Sequence, residues 1–498
     1  MAKRTKIKEQ QIVLNNFKTV NTYFKPFKIP PNHLAFGMNV DFTEDGKIKQ
    51  RPGTELIQSF NDMVALCVWQ EVRDGVVYEH LLARVADTLY MFNDDTQQFE
   101  SLYTDLPTDV ACGGIGYVDK FIFNIASSVY YIQYDDDTSS YTVSQITDDA
   151  GNPVNLGAHW QARGAFYEVF AERVWLGGDG TENIYFSDVG DPLTWDANNV
   201  IAFSGRVTAL KAVGEFLFVG TDRSLYKIIQ TGDSNYPFKV DLLTNVGVAY
   251  NGIFVLKSTT LGAILTNGRV LAFDSFIQSG SQADDTIGLP IKDIIADIKP
   301  FEFASSLNVD DKVYLSYQLD NNYYNIGTIV LNSNILGWTF YSIPMEWTCK
   351  YKGQVYFIRD NAVYRFNDEK FTDNDDEFDT FVVTAILGGD SPEIQKNWRK
   401  LFISTESRTK TTFKFSYTVN LTQIWREGES KEFFGVNGIL GEAILGSFVL
   451  GGSWLQHAKI PLDINSNGLI LKIEKTSENS DFQINSLKFI FYPSYRRG

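Results

Sequence analysis

The sequence predicts an all-β protein with a β-propeller-like central domain and a C-terminal β-sandwich. Tyr and Phe are abundant, with 25 and 37 copies in 498 residues, and aromatic residues favour strands. Between residues 61 and 370 a short apolar strand, a polar turn and a second strand containing an aromatic residue recur along the chain. After residue 380 strands resume with a different spacing and alternate apolar and polar residues, which is typical of a sheet with one buried face.

The chain begins with a basic segment, for which we expect an extended arm over residues 1–38. Residues 1–40 carry a net charge of +6. Pro26, Pro30 and Pro31 disfavour helix there and suit an extended tether. The arm could dock on an acidic neighbour, contact DNA or remain a disordered tail. The candidate docking residues are Lys3, Arg4, Lys6 and Lys8.

An entry hairpin is predicted over residues 39–60, packed on the folded body. Asp45-Gly46 lies between two short runs and suits a tight turn, and Arg51-Pro52-Gly53 ends the return strand. None of these residue types forms a recognisable catalytic group here. Because the hairpin is the first predicted pair of strands after the arm, it marks where the arm ends and the folded body begins.

The recurrent hairpins predict a β-propeller over residues 61–370. They begin roughly 40–50 residues apart, which is a typical period for propeller blades. Because a blade normally has four strands, each hairpin supplies half of one, and five, six or seven blades are compatible with the pattern. A large sandwich or a string of smaller β-domains is the alternative. The hairpins are 80–92, 119–134, 172–187, 214–229, 261–273, 311–331 and 352–366.

The middle of the chain is strongly acidic. Of the net charge of −17, residues 41–380 account for −26. Such a charge serves solubility or repels polyanions, and it disfavours a conventional DNA-binding surface, which needs clustered Lys and Arg. The acidic residues at 371–380 predict a solvated linker, since the run lacks the Gly turn and terminal Glu of an EF-hand calcium loop.

Residues 381–498 are expected to form the sandwich, which contains a Gly-rich apolar segment at 435–454. Its glycines oppose a stable helix, and its apolar residues favour burial against a partner subunit or, alternatively, against its own core. The candidate oligomer-interface residues are Gly435, Gly438, Ile439, Leu440, Ile444, Leu445, Phe448 and Leu450.

The sequence contains no recognisable catalytic or cofactor-binding motif, so we expect a protein that is not an enzyme and holds no cofactor. The four histidines show no metal-ligand spacing, and the three cysteines form no C-x-x-C pair. No nucleophile elbow or phosphate-binding loop occurs. Paired carboxylates could serve a glycosidase, but "SDVGDPLTW" (187–195) lacks the Asp-box spacing. We expect neither a secretory signal nor a membrane span.

Two motifs resemble those of propeller-bearing hub and nozzle proteins of short-tailed bacteriophage tails. One is "NIYFSDVGDPLTWDANN" (183–199), which is similar to a blade turn of those proteins. The other is the hairpin with Asn39, Asp41, Asp45-Gly46 and Arg51-Pro52-Gly53. The order of arm, propeller and sandwich is also similar, and the C-terminal "WRKLFISTES" strand resembles the ring-forming sandwich.

The resemblance implies a structural virion protein of the tail, assembled in the host cytoplasm. Its sandwich would close a homohexameric ring or nozzle below the portal and its adaptor, with other tail proteins as neighbours. Packaged double-stranded DNA would be retained and ejected through the channel without specific binding, because acidic walls repel phosphates. A monomeric propeller binding module and a receptor-directed carbohydrate-active protein are the alternatives. The candidate channel-lining acids are Asp94, Asp95, Asp135, Asp136 and Asp137.

Overall fold

The computed structural model describes most of the chain. The described residues are 8–108, 113–125, 128–148, 151–154, 166–178, 180–234, 236–257, 259–276, 284, 286–297, 305–316, 327–388, 393–407, 409–420, 422, 424–433 and 455–494. Within them the structure is almost entirely β, with one short α-helix, Lys292–Ala296, and two 3₁₀ turns, Pro26–Lys28 and Leu289–Ile291. The all-β prediction is confirmed.

The chain divides into two compact units. One, which we call the propeller unit, comprises Glu55–Ile329 and Ile343–Phe366. The other, which we call the composite unit, comprises Met1–Thr54, Val330–Ser342 and Asn367–Gly498. The sequence predicts an uninterrupted propeller over 61–370, whereas the composite unit includes a short stretch from inside that range. Local patterning cannot reveal this, because strands look alike whichever unit they join.

The strands are numbered along the chain. The first five precede the propeller unit and are β1 (Gln10–Leu14), β2 (Thr19–Val20), β3 (His33–Met38), β4 (Val40–Phe42) and β5 (Ile48–Gln50). The next are β6 (Gly53–Ser59), β7 (Met63–Arg73), β8 (Val76–Val85), β9 (Thr88–Asn93), β10 (Gln98–Tyr103), β11 (Gly114–Tyr117), β12 (Lys120–Ile125), β13 (Ser128–Asp135), β14 (Ser140–Gln145), β15 (Phe166–Phe170), β16 (Arg173–Gly177), β17 (Asn183–Phe186) and β18 (Val200–Ala202).

The second half of the propeller unit continues in the same manner. Its strands are β19 (Val207–Val213), β20 (Phe216–Thr221), β21 (Leu225–Gln230), β22 (Phe238–Thr244), β23 (Val248–Lys257), β24 (Thr260–Leu265), β25 (Val270–Asp274), β26 (Ser305–Val309), β27 (Lys312–Ser316) and β28 (Thr328–Asn332). The next strand, β29 (Gly337–Tyr341), belongs to the composite unit. The last three propeller strands are β30 (Trp347–Tyr351), β31 (Gln354–Arg359) and β32 (Ala362–Asn367).

The propeller unit is a ring of seven sheets in the described part of the chain. Sheets β7–β10, β11–β14, β15–β18 and β19–β22 each hold four consecutive strands, and β23–β25 holds three. The sixth includes β26, β27 and β28, and the seventh joins β30, β31 and β32 to the earlier strand β6. The first strands contact one another in circular order, β7, β11, β15, β19, β23, β26, β30 and back to β7. The propeller is therefore closed and has seven blades.

Each hairpin found in the sequence is the second and third strand of a separate blade. The hairpin at 80–92 falls on β8 and β9, and the hairpin at 352–366 falls on β31 and β32. Apolar side chains of adjacent blades form the cores, as where Trp69 of the first blade packs beside Phe121 and Phe123 of the second. The first strand must lie close to its neighbour, and at Gly116 a Cβ would be 2.9 Å from the Trp69 ring. Gly116 thus permits close packing between the first two blades.

The composite unit contains three sheets. Its remaining strands are β33 (Phe381–Thr384), β34 (Gln395–Glu406), β35 (Thr411–Val419), β36 (Arg426–Phe433), β37 (Leu455–Ser466), β38 (Leu469–Lys475), β39 (Gln483–Ile484) and β40 (Ser486–Ser494). The sheets run β1-β40-β34-β37, β2-β3-β33-β38-β35-β36 and β39-β5-β4. Fully buried aromatic side chains such as Trp398 and Phe413 lie in its core.

Two segments that the sequence predicts to be extended or solvated are instead parts of this unit. Residues 10–38 fall within the predicted arm, but β1 pairs with the C-terminal β40, and β2 pairs with β3, which pairs with β33. The acidic stretch 371–380 is the predicted solvated linker, but Thr372, Phe378 and Thr380 are buried. Both differences arise because the partners lie hundreds of residues away in the sequence.

Candidate functional site

The entry hairpin is the starting point of the candidate site. Strands β4 and β5 pair antiparallel, with Val40 opposite Gln50 and Phe42 opposite Ile48. The turn between them closes when the backbone N–H of Gly46 donates to the carbonyl of Thr43 at 2.9 Å. Gly46 has φ +77°, and a Cβ there would lie 2.3 Å from the backbone of Asn16. Only glycine meets both conditions.

Arg51 is the centre of a buried polar cluster at the end of this hairpin. Its side chain is fully buried, and its Nη1 and Nη2 donate to the two carboxylate oxygens of Asp373 at 2.9 and 2.5 Å. Its Nε donates to Oδ1 of Asn39 at 2.8 Å. The guanidinium also stacks over Phe378, 3.7 Å from the ring centroid. A bidentate, stacked guanidinium of this kind cannot be replaced by lysine without losing contacts.

Asn39 connects this cluster to a third stretch of the composite unit. It adopts the left-handed conformation, with φ +57°. Its Nδ2 donates to Oγ of Ser342 at 2.9 Å and to the carbonyl of Asp379 at 2.7 Å, while its Oδ1 also accepts from the backbone N–H of Ser342. Asn39, Arg51, Ser342, Asp373 and Phe378, which we call the Arg51 cluster, therefore join the hairpin, the 330–342 stretch and the acidic stretch.

Pro52 and Gly53 complete the motif by bringing the backbone against the acidic stretch. The N–H of Gly53 donates to the carbonyl of Lys370 at 2.8 Å, and the N–H of Thr54 donates to the carbonyl of Thr372 at 2.9 Å. A Cβ on Gly53 would lie 2.4 Å from the Thr372 carbonyl oxygen. The Arg-Pro-Gly sequence thus has a structural explanation that sequence reasoning missed, because its partner residues lie more than 300 positions later.

A second buried cation lies near the Arg51 cluster. The ammonium of Lys475 is 5.4 Å from the centroid of Phe378, donates to the carbonyl of Ser480 at 3.0 Å and lies 3.4 Å from Glu377. Burial lowers the pKa of Lys475, the Glu377 carboxylate opposes this shift, and the nearby Arg51 adds to it. These charges are held by fixed partners, so the arrangement is suited to joining chain segments.

A cavity of about 360 Å³ lies beside the entry hairpin, within the composite unit. We call it the hairpin cavity. Gln50 lines it and is buried, and its Nε2 donates to the carbonyl of Phe371 at 3.2 Å. Its Oε1 is buried and accepts no hydrogen bond from the described residues. The cavity is lined by Lys49, Gln50, Asp368, Phe371, Glu406, Ser407, Asp481, Phe482 and Gln483.

Three carboxylates give the hairpin cavity an acidic lining. Glu406 accepts from Nε2 of Gln483 at 2.8 Å and from Nδ2 of Asn485 at 3.1 Å, so its position is fixed. Asp481 accepts from Oγ1 of Thr409 at 2.7 Å and from the N–H of Thr409 at 3.1 Å. Asp368 is exposed. Because Lys49 is the one basic residue in the lining, the cavity favours a cationic occupant.

A second cavity, of about 290 Å³, lies among the first strands of four consecutive blades, β15, β19, β23 and β26. Its charged groups are Glu168 and Lys211, whose carboxylate oxygen and ammonium nitrogen are 2.6 Å apart. The pair leaves the lining without net charge. Asn308 also lines this cavity, but its side chain is bonded to the backbone of Val255.

The acids expected to line a channel lie in turns between the third and fourth strands of the first two blades. Asp94 and Asp95 follow β9, and Asp135, Asp136 and Asp137 lie at the end of β13 or just after it. Asp94 accepts from the Tyr351 hydroxyl at 2.8 Å and from the Lys352 ammonium at 2.7 Å, so its charge is partly neutralised. Tyr351 is the last residue of β30, so the turn that carries Asp94 contacts the first strand of the seventh blade.

The remaining predicted residues are mostly beyond the described part of the chain. Lys8 is described and exposed. The other arm residues and the candidate interface residues lie outside the described residues: Lys3, Arg4, Lys6, Gly435, Gly438, Ile439, Leu440, Ile444, Leu445, Phe448 and Leu450. The segment 435–454 is flanked by β36 and β37, which are edge strands of two sheets of the composite unit.

The second motif, at 183–199, forms a turn of the third blade. Oδ1 of Asp191 accepts from the N–H of Leu193 at 2.9 Å, and the Trp195 indole N–H donates to the carbonyl of Pro192 at 2.9 Å. Oδ1 of Asp188 accepts from Nδ2 of Asn199 at 2.7 Å. The polar residues of this motif are thus engaged in holding the turn, with Trp195 buried beneath it.

Two other kinds of site are absent from the described residues. No group of three or more His, Cys, Asp or Glu side chains among them is arranged to hold a metal ion. No helix in the part of the chain that the structure describes is long and apolar enough to cross a membrane.

Comparison with known proteins gives matches only at the level of structure. No family model and no curated protein matches the sequence. Among solved structures, BamB from Moraxella catarrhalis is similar at 12% identity and a TM-score of 0.39, covering 72% of this chain and 96% of that one. U3-55K is similar at 9% identity and a TM-score of 0.41, covering 63% and 99%.

Proposed function

We propose that this chain is a structural subunit of a bacteriophage tail, which forms a ring or nozzle through which packaged double-stranded DNA is retained and ejected. The observation that carries the proposal is the Arg51 cluster. The hairpin motif that resembles the tail hub and nozzle proteins is built into a buried junction of three chain segments. The residues of the motif are therefore needed to join these three segments, which supports a shared architecture with the proteins that the motif resembles.

The architecture suits a passive conduit under mechanical load. A channel that retains packaged DNA must keep its shape, and buried charge-assisted hydrogen bonds between distant segments resist their separation. In the composite unit the N-terminal strand β1 is paired with the C-terminal strand β40. Both ends of the described chain are thereby fixed in one sheet.

The charge distribution supports passage of DNA without binding. Residues 41–380 carry −26, and the blade turns present exposed acids such as Asp95, Asp136 and Asp137. A polyanion gains no counterion-release energy from such a surface, since that energy comes from Lys and Arg contacts to phosphates.

We therefore expect residues 41–380 to contribute no measurable affinity for duplex DNA at physiological salt. A fluorescence-anisotropy titration with a labelled duplex measures this. Because the basic N-terminal segment could bind phosphates by itself, a variant with Lys3, Arg4, Lys6 and Lys8 changed to Ala is the matched control. Micromolar, salt-sensitive binding by that variant would contradict the proposal.

The ring is proposed to be held by the composite unit and the segment 435–454. Just before β36, Ile424 and Trp425 are 68% and 44% exposed, which is unusual for such side chains unless a partner covers them. They adjoin the strand that leads into the apolar segment 435–454. Ile424 and Trp425 thus form an exposed apolar pair next to the edge strand β36.

Deletion of residues 435–454 is expected to abolish the ring, and Trp425→Ala is expected to weaken it. Class averages from electron microscopy of the purified protein, with sedimentation velocity to count copies, test both variants against the unmodified chain. Val240→Ala on the propeller unit, where the side chain is 40% exposed, is the matched control and should leave rings unchanged. Rings that survive the deletion would refute this interface.

A propeller binding module is the second candidate function, and the cavity among β15, β19, β23 and β26 favours it. That cavity combines aromatic and apolar walls with the Glu168–Lys211 pair, as small-molecule sites do. A protein that stays monomeric at high concentration would support this alternative over the ring.

A further inference from the structure

The hairpin cavity contains an acceptor that is not used by the described residues. Gln50 is fixed by its bond to the Phe371 carbonyl, which leaves Oε1 buried without a donor. A buried acceptor without a partner is costly, so Oε1 of Gln50 favours an occupant that can donate a hydrogen bond to it. The same cavity presents Asp368, Glu406 and Asp481. Its occupant should therefore be cationic and rich in hydrogen-bond donors.

The basic start of the chain has this chemistry. Lys3, Arg4, Lys6 and Lys8 place four cations within eight residues, with a single acid, Glu9, after them. Lys and Arg side chains carry only donors, so they can satisfy both an amide oxygen and carboxylates. We infer that the hairpin cavity binds residues 3–8 of a second copy of this chain. This inference rests on the proposed function, because it requires copies to assemble.

The course of β1 favours a second copy over the chain's own arm. Gln10 lies opposite Phe491, which lies opposite Trp398 on β34, whereas the cavity lies at Glu406, at the other end of that strand. Trp398, at the level of Gln10, and Glu406, at the cavity, are about 26 Å apart along β34 at ~3.3 Å per residue. From Gln10, Lys6 can reach only about 14 Å along the backbone. At least Lys6 and Lys8 therefore fall short of their own cavity.

Two lysines of the entry hairpin reduce the attraction of the hairpin cavity for the basic segment of a second copy. Lys49 lines the cavity and is exposed, so it lowers the attraction for an incoming cation. Lys47 lies 3.4 Å from Glu406 and 3.0 Å from Asp45, and its charge is shared between them. The lining still has an excess of negative charge. Docking should accordingly weaken with added salt, since exposed charges are screened within about 10 Å at 0.1 M ionic strength.

A disulfide trap between full-length chains tests the inference. A Lys6→Cys chain is mixed with a Lys49→Cys chain, which keeps every acidic group of the cavity and removes its resident cation. The matched control pairs Lys6→Cys with Lys257→Cys, an exposed lysine of the propeller unit. We expect the cavity pair to form the mixed disulfide at least tenfold faster than the control pair, and Asp368→Asn to slow it several-fold. Asp95→Asn, an exposed acid elsewhere, should leave the rate unchanged.

Each alternative outcome has a defined meaning. Equal trapping rates for the cavity and control pairs, or no effect of Asp368→Asn, would overturn the inference. A diluted Lys6→Cys, Lys49→Cys double variant that forms only an intrachain disulfide would show that the chain's own arm is the occupant, against our proposal. Electron microscopy of the same samples separates the two claims. Rings without trapping refute only the docking, whereas the absence of rings refutes the proposed function.

Discussion

Replacing Arg51 with Met is expected to lower the free energy of unfolding of the composite unit by about 3–5 kcal/mol, the usual cost of removing one partner of a buried ion pair. Methionine is also long and apolar, so it retains much of the packing on Phe378. The loss therefore comes from the Asp373 carboxylate, which is only 11% exposed and loses both guanidinium bonds. Asn39 loses the bond from Nε at the same time.

Denaturant unfolding combined with hydrogen exchange measures this effect. The backbone N–H groups of Arg51, Gly53 and Thr54 donate to the carbonyls of Asn39, Lys370 and Thr372 around the Arg51 cluster. These three N–H groups should therefore exchange faster with solvent in the variant. Arg399→Met is the matched control, because its pair with Asp463 is exposed at 49% and 71%. Such pairs contribute only about 0–1 kcal/mol.

A double variant separates the charge from the packing. Arg51→Met with Asp373→Asn removes the unpaired carboxylate, and we expect it to be more stable than Arg51→Met alone, because an unpaired buried charge costs more than a neutral amide. A double variant as unstable as the single one would mean that Arg51 acts through packing on Phe378 and Tyr341.

Replacing Trp175 with Ala is expected to destabilise the propeller unit by about 3–5 kcal/mol, which is typical of a fully buried Trp. Trp175 lies on the second strand of the third blade and is 0% exposed. Its ring centroid is 4.5 Å from that of Phe186 and 4.9 Å from that of Phe238, and its indole N–H donates to the carbonyl of Phe170. The substitution removes these contacts and leaves a cavity between two blades.

The same unfolding experiment, read from amides of the third and fourth blades, measures the effect. Trp425→Ala is the control, because that side chain is 44% exposed and surface substitutions usually change stability by less than about 0.5 kcal/mol. It should weaken the ring without changing the stability of the folded chain. A similar loss of stability from both variants would contradict the burial of Trp175 between the two blades.

The strands of the propeller could be predicted because their signals are local. In six of the seven blades at most five residues separate the second strand from the third. The apolar and aromatic residues of the two strands lie within about 20 positions of one another. The sequence leaves the number of blades open. That number is decided by contacts between first strands, such as β30 with β7, and by β6 joining the last sheet. Neither of these contacts can be recognised from the local sequence around the strands that make it.

The candidate site was only half predictable for the same reason. The turn at Asp45-Gly46 follows from its residues, since glycine permits the positive φ of the turn. The role of Arg51 does not, because Asp373 is 322 positions away and sits in a run whose composition is typical of a solvated linker. Sequence composition records how many charges a segment has, but not which of them will be buried against a partner.

The sequence by itself determined the all-β class, the recurrent hairpins and the acidic middle of the chain, because periodicity, turn residues and net charge are properties of neighbouring residues. Only the tertiary structure decided the seven-bladed closure, the composite unit and the Arg51 cluster. Each of these depends on pairing between segments far apart in the chain, and that pairing is selected by the burial and hydrogen bonding of the whole fold.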